Sequence, residues 1–553
     1  MTQAAALPAV TECDLLIVGG GVNGAGIARD AAGRGLSVVL CEKDDLASHT
    51  SSSSTKLIHG GLRYLEHYEF ALVRKALQER EVLLRNAPHI MRPLRFVLPH
   101  DPSMRPAWMM RLGLFFYDNL ARRKLLGASA GIDLRTHEAG RPLKPNFTRA
   151  FIYSDGWVDD ARLVVLNAVG AAGKGATILP RTECVSAEVA APGSSHDWLV
   201  TLRGADGGLR QIRARALVNA TGQWAASFLR DGTHRKGTRS LRLVKGSHIV
   251  VPRMFSHDMA YILQSPDKRI VFAIPYEQDF TLIGTTDVEQ DSGPGEVQIS
   301  AAEVDYLCNL INRYFSRAIT AADVVWSYSG VRPLMDDESG DASAVTRDYS
   351  LELMKDGPPC LTVWGGKITT YRKLAEEAVD LLQPVLGKQV ERMEGPWTIL
   401  APLPGGDFDT LLGQLPAGQL GFEQLCRHIS GRHPWLPARL VNRYACSYGT
   451  LYRAIIGDAA ALADLGAEVA PGVYEAELAY LRDREWAQTA DDVLWRRSKL
   501  GLHLSQAQQQ AVADWLRRSA AATLPWASAA GAFTAATATT AATPPATPRA
   551  AAQ

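Results

Sequence analysis

Residues 15 to 46 read LLIVGGGVNGAGIARDAAGRGLSVVLCEKDDL, a pattern that predicts a strand, a glycine turn, a helix and a second strand. The first strand runs from Asp14 to Val18, the alanine-rich helix from about Gly24 to Gly33, and the second strand from Ser37 to Cys41. Gly19, Gly21 and Gly24 stand in GxGxxG spacing at the strand–helix junction. The first allows a tight turn, the second lets backbone approach a pyrophosphate, and the third lets helix and strand pack closely, so that the helix N-terminus faces an anion. Glu42 ends the second strand, 18 residues after Gly24, where a carboxylate can accept hydrogen bonds from a ribose diol. A plainer reading makes Glu42 a solvated charge beside Lys43 and Asp44. The βαβ context, more than the glycines alone, points to a dinucleotide, and nicotinamide and flavin cofactors share this fingerprint.

The rest of the chain is too long for one core. Its 553 residues call for two or three domains. With 46% apolar and 21% charged residues and a net charge of +1, it is a globular protein with no bulk charge for nucleic acid. Seven scattered cysteines without a CxxC pair suggest a reducing compartment and no metal. The opening residues lack the basic and apolar regions of a signal peptide, and no run approaches the ~20 apolar residues of a spanning helix, so a cytoplasmic location is expected. A segment rich in Pro, Arg and aromatics runs from Pro88 to about Phe147, and strand-like stretches follow at Ala216–Gly222 and Lys245–Pro252. After Leu386 helical patterns dominate, as in Tyr474–Trp486 and Leu504–Arg518, and from about Ala527 the chain is Ala, Thr and Pro, a composition that predicts disorder.

A second motif separates the cofactors. Thr50 to Glu66 reads TSSSSTKLIHGGLRYLE, and it closely resembles the region behind the flavin in the FAD-dependent glycerol-3-phosphate dehydrogenases. ATGQWA (220–225), KGSHIVVP (245–252), IGTTD (283–287), YSGVRPL (328–334), TRDYS (346–350), GGKITTYRKLAE (365–376), RYACSYGT (443–450) and REWAQTADDVLWRRSKLGL (484–502) resemble that family's other motifs in the same order. Gln223 departs from the pattern, since relatives often carry proline there; only a local turn difference is expected.

The resemblance implies an α/β flavoprotein with a discontinuous Rossmann-like FAD-binding domain (12–90, 150–240 and 330–385). A sheet-based substrate domain of the D-amino-acid-oxidase-like type (91–149 and 241–329), a C-terminal helical domain (386–525) and a disordered tail (526–553) complete it. It implies sn-glycerol 3-phosphate oxidised to dihydroxyacetone phosphate, FAD as cofactor, and quinone as acceptor at the inner membrane surface. Ser52, Ser53 and Asp287 would contact the cofactor, with Gly365, Gly366 and Thr369 at the helix start facing the flavin ring. Arg332, Arg347 and Lys367 match positions associated with phosphate binding, and Arg63 is a fourth cation of the pocket. Hydride removal from C2 needs a base for the hydroxyl proton. His59, which shares a motif with Arg63, is the first choice and His248 the second, against the plainer reading of each as a pocket-shaping histidine.

MRPAWMMRLGLFFYDNLARRKLLG (104–127) interleaves Trp108, Met109, Met110, Phe115, Phe116 and Tyr117 with arginines and a lysine, as interfacial helices do; a buried helix with a basic edge is the competing reading. Relatives using dioxygen, amino-acid oxidoreductases of the same superfamily, and a flavin-binding protein without turnover are the alternatives. The last conflicts with a basic pocket that structure alone does not require. Oligomeric state is open, a homodimer included.

Overall fold

The computed structural model describes residues 12–101, 106–190, 198–267, 269–336, 348–386, 393–416 and 418–521. Its first element is the expected one. Strand β1 (Glu12–Val18), helix α1 (Val22–Gly33) and strand β2 (Val38–Cys41) form the βαβ unit. β1 pairs in parallel with β2 on one side and with the strand Leu209–Asn219 on the other. A strand held between parallel neighbours with both faces covered needs an unbroken apolar run, and Leu15, Leu16 and Ile17 have no exposed surface. Cys360–Gly365 extends the parallel sheet beyond Leu209–Asn219, and Tyr349–Met354 closes that edge in antiparallel sense.

A second, ten-stranded sheet stands beside it among the described residues. Near one edge runs its longest strand, Leu241–Pro252, flanked by Phe280–Gly284 and Trp326–Met335. Its far side carries Met91–Pro99 against Arg149–Val158 and, at the edge, β3 (Leu57–Ile58). Here the sequence division needs correction: residues 57–58, 150–158 and 330–335 were expected in the FAD-binding part but pair within the substrate-side sheet. Arg149–Val158 is one continuous strand that a boundary at residue 150 cuts. Local pattern announces a strand; which sheet it joins is fixed by partners distant in sequence.

Helix α2 (Phe70–Asn86) and helix α3 (Ala107–Asn119) follow β3, and helix α4 (Asp160–Ala172) packs against α1. The strand–turn–helix expected of GGKITTYRKLAE is present as Cys360–Gly365, a short turn at Ile368–Thr370 and a helix Tyr371–Leu386. Beyond residue 407, helices such as Ala438–Tyr448, Glu475–Glu485 and Gln506–Ala521 enclose a separate apolar core that includes Leu440, Tyr444, Leu478 and Leu516. The expected disordered tail, 526–553, lies outside the described residues, as do Met104 and Arg105 of the aromatic-basic segment and Arg347. No described helix is long and apolar enough to cross a membrane.

Candidate active site

At the carboxyl ends of β1 and β2 the first sheet opens into a cleft of about 380 Å³. Its floor is the glycine turn. Gly19 has φ of +115°, and a Cβ on Gly24 would lie 1.9 Å from the Gly19 carbonyl oxygen, so neither position takes a side chain without moving the helix off the strand. α1 begins after Gly21, a residue with no side chain to cap it; Ser51 Oγ accepts from the Val22 amide at 3.0 Å, and the positive end of the helix is directed at the cleft. Glu42 is buried on the wall. It accepts from the Gly20 amide at 2.7 Å and the Asp44 amide at 2.9 Å. Burial pushes its carboxyl above the usual range, against the pull of those amides. The buried Ser48 Oγ and Asn23 Oδ1, both on the cleft wall, have no hydrogen-bond partner among the described residues. Such orphaned groups call for a polar ligand.

The motif TSSSSTKLIHGG is tied to the second sheet and to the turn that follows Cys360–Gly365. Thr50 Oγ1 donates to the Val331 carbonyl at 2.7 Å, and Tyr328 donates to the Ser54 carbonyl at 2.8 Å. Thr55 Oγ1 shares a 2.9 Å hydrogen bond with His248 Nε2, and the His59 amide donates to Thr369 Oγ1 at 3.3 Å. Lys56, also buried, donates to Asp160 at 2.7 Å. These ties bring His59, His248, Lys367 and Thr369 around one short stretch of backbone. Lys367 stands over the Tyr64 ring, its Nζ 3.9 Å from the centroid, so Tyr64 joins the site although the sequence reading passed over it. Only its being an aromatic in the GGLRY motif, six residues before α2, would have hinted at it.

Arg332 ion-pairs with Asp287 and donates to Thr285 Oγ1 at 2.7 Å. A Cβ on Gly246, on the neighbouring strand, would fall 2.2 Å from its guanidinium. Asp287 therefore does not line the dinucleotide cleft, contrary to expectation; its carboxylate orients the substrate-side arginine. Ser52 and Ser53 are also displaced from that role. Ser52 Oγ donates to the His49 carbonyl at 3.3 Å, and Ser53 packs on the backbone of Gly330, while Ser48 and Ser51 line the cleft instead. Successive residues in an irregular segment point in different directions, and only the folded turn decides which face the ligand. Gly365 and Gly366 do line the cleft; Thr369 is buried and holds His59. Arg63 lies in the turn Leu62–His67, and its side chain is outside the described residues.

His248 is fully enclosed, stacked on Tyr328 at 4.7 Å between ring centroids. Burial, reinforced by the charges of Arg332 and Lys56, holds its pKa well below the ordinary histidine value, so it is neutral at physiological pH.

A model of FAD dependent oxidoreductases matches residues 14–372. A glycerol-3-phosphate dehydrogenase of Pseudomonas aeruginosa is 52% identical over 513 residues, covering 92% of this chain and 96% of that protein. The chain belongs to the FAD-dependent glycerol-3-phosphate dehydrogenase family. A D-erythritol 1-phosphate dehydrogenase of Brucella abortus is 50% identical over 505 residues, 91% of this chain and 97% of the other. The crystal structure of a glycerol-3-phosphate dehydrogenase from Bacillus halodurans complexed with FAD aligns with a TM-score of 0.72 at 26% identity, over 93% of this chain and 91% of that one. Residues 398–530 match the C-terminal domain of alpha-glycerophosphate oxidase, so the helical domain does not by itself separate a dehydrogenase from an oxidase.

The cleft of this glycerol-3-phosphate dehydrogenase family member fits FAD. The positive end of α1 suits the pyrophosphate, Glu42 the ribose, and the orphaned Ser48 and Asn23 groups the remaining polar atoms. The Cys360–Gly365 strand end and its double glycine then stand where the flavin ring would lie.

Proposed function

We propose that the protein oxidises sn-glycerol 3-phosphate to dihydroxyacetone phosphate and passes the electrons to quinone while docked on the inner face of the cytoplasmic membrane. The observation that carries the reading is the pair of cations Arg332, in the strand Trp326–Met335, and Lys367, just past the end of the strand Cys360–Gly365. The Pro333 carbonyl lies 3.6 Å from the Cβ position of Gly365. Bound FAD supplies the acceptor for the C2 hydride. Arg332, braced by Asp287, and Lys367, seated on Tyr64, hold the phosphate. His59 takes the hydroxyl proton. His248, neutral and locked between Thr55 and Tyr328, shapes the pocket. Asparagine at position 59 is expected to slow anaerobic flavin reduction by about two to three orders of magnitude with flavin content unchanged. Equal loss in His248→Asn and none in His59→Asn would transfer the role of base.

The relative acting on D-erythritol 1-phosphate supports a second reading with a longer polyol phosphate and the same chemistry. Both are resolved by mixing the anaerobic holoprotein with sn-glycerol 3-phosphate, D-erythritol 1-phosphate or glycerol and following the visible flavin absorption. Bleaching by sn-glycerol 3-phosphate alone is expected. Bleaching by the tetritol phosphate alone would replace the substrate, and bleaching by neither would remove the phosphate clamp. Admitting quinone or oxygen to the reduced enzyme identifies the acceptor, with peroxide formation marking an oxidase.

Membrane docking is supported by α3. Trp108 is 66% exposed and Phe115 58% exposed, with Met109, Leu112 and Phe116 open beside them, whereas Ala107, Met110, Leu114 and Tyr117 pack inward. Five large apolar side chains on one open face of a short helix form the kind of patch that marks a binding surface. The turn bearing Tyr68, 81% exposed, packs against the same helix. Replacing Trp108, Phe115 and Phe116 by serine is expected to abolish co-sedimentation with anionic vesicles and to cut quinone reduction about tenfold or more, while substrate still bleaches the flavin at the wild-type rate. Retained vesicle binding would place the docking surface elsewhere.

A further inference from the structure

We propose that the C-terminal helical domain retains the dinucleotide, acting through a buried carboxylate–arginine cluster centred on Asp45. This goes beyond the substrate reading and does not depend on which alcohol phosphate is oxidised. The loop after β2 walls the cleft with Glu42, Lys43, Ala47, Ser48, His49 and Ser51. It has no regular structure of its own, and Ala47 sits at φ of +62°, a left-handed conformation that alanine adopts only when surroundings impose it. Its amide donates to the Gly20 carbonyl at 3.1 Å, which couples the loop to the pyrophosphate turn.

Asp45 points away from the cleft, into the junction with the helical domain, and is 2% exposed. Arg496 Nε donates to it at 2.6 Å and Arg497 Nη2 at 2.8 Å, while Arg497 Nη1 closes a bidentate pair. Arg496 and Arg497 are successive residues. On an ordinary α-helix neighbours point about 100° apart, but residues 492–497 form a π-helical turn, and this widened turn delivers both guanidiniums to one carboxylate. Such turns occur frequently at functional sites. Arg497 also donates to the Glu485 carbonyl at 2.6 Å, and Arg181 joins the cluster through Asp492 at 2.7 Å. The Arg181 amide in turn donates to the Asp44 carbonyl at 2.7 Å. The loop is thus held by arginine side chains from the helical domain and by a backbone hydrogen bond from Arg181, between two strands of the first sheet. Buried ion clusters add little net stability over a well-packed apolar contact, and their better-attested use is to fix one arrangement; here the arrangement fixed is the cleft wall. Asp45, Arg496 and Arg497 are positioning residues, because none of them lines the cleft.

The test measures FAD affinity and release, by flavin fluorescence on reconstituted protein, in Arg496→Gln and Arg497→Met. Arg443→Met serves as control. Its ion pair with Glu477 lies wholly inside the helical domain, so it destabilises that domain without touching the loop. Both test variants are expected to weaken FAD binding about tenfold or more and to speed its release. The control is expected to lower the thermal midpoint with FAD affinity unchanged. Arg497 is fully buried, whereas Arg496 keeps 17% of its side-chain surface exposed, so Arg496→Gln carries the test if Arg497→Met does not fold. Wild-type FAD affinity in Arg496→Gln, or an equal loss of affinity in Arg443→Met, would overturn the proposal.

Discussion

Gly24→Ala yields a protein that purifies without flavin. The added methyl would meet the Gly19 carbonyl oxygen at 1.9 Å and approach Ala220 Cβ at 3.4 Å. Contacts under 3 Å between these atom types are not tolerated, so α1 must move off the strand by more than 1 Å, and backbone cannot yield as a flexible side chain would. That displacement draws the helix N-terminus away from the pyrophosphate, the place where its positive end acts on the cofactor. The flavin-to-protein absorbance ratio is expected to fall about tenfold or more, while the circular dichroism spectrum stays close to that of the parent. The helical domain has its own core and does not share the strain. A variant that retains a full complement of FAD would show that the turn absorbs the methyl by a route other than helix displacement.

Arg332→Ala is expected to keep its flavin and lose most of its capacity to be reduced by the phosphate ester. Charge-assisted hydrogen bonds to a phosphate contribute about 1.5–3 kcal/mol each, and a guanidinium can offer two, so a fall in kcat/KM of about two to four orders of magnitude follows. Asp287 makes the loss steeper. In the parent its carboxylate is ion-paired with Arg332; after the substitution it faces the incoming dianion unneutralised. The double variant Arg332→Ala with Asp287→Asn is therefore expected to recover part of the loss, by about tenfold, a result that a purely structural role for Arg332 does not produce. Stopped-flow reduction measured in the single and double variants reads this directly. If the single variant is reduced normally, the phosphate is held elsewhere and the roles given to Arg332 and Lys367 fall together.

The dinucleotide half of the site was legible in the chain because its determinants are local. Glycines two and three apart, an apolar strand before them and a helix after them act through backbone conformation within about thirty residues; Gly19, Gly21 and Glu42 line the cleft, and Gly24 packs against the Gly19 carbonyl. The motif resemblance carried the family, and with it the helical domain and the strand–turn–helix at Gly365. It did not carry orientation. Ser52, Ser53 and Asp287 lie in the right motifs but turn to other partners, and Tyr64 enters the site through a ring contact with a lysine some three hundred positions away in the chain.

The sequence by itself thus determined that β1 and α1 cradle an anion, that the middle of the chain is sheet, and that a helical domain follows. Those are properties of short segments, set by periodicity, glycine sterics and burial. Tertiary structure alone decided which sheet receives Arg149–Val158, which carboxylate braces Arg332, and that Arg497 meets Asp45 across 452 positions. Such pairings depend on where two separately stable pieces of chain come to rest against each other. A buried charge can be recognised from its own neighbours in sequence only when its partner is also among them, and here the partners are not.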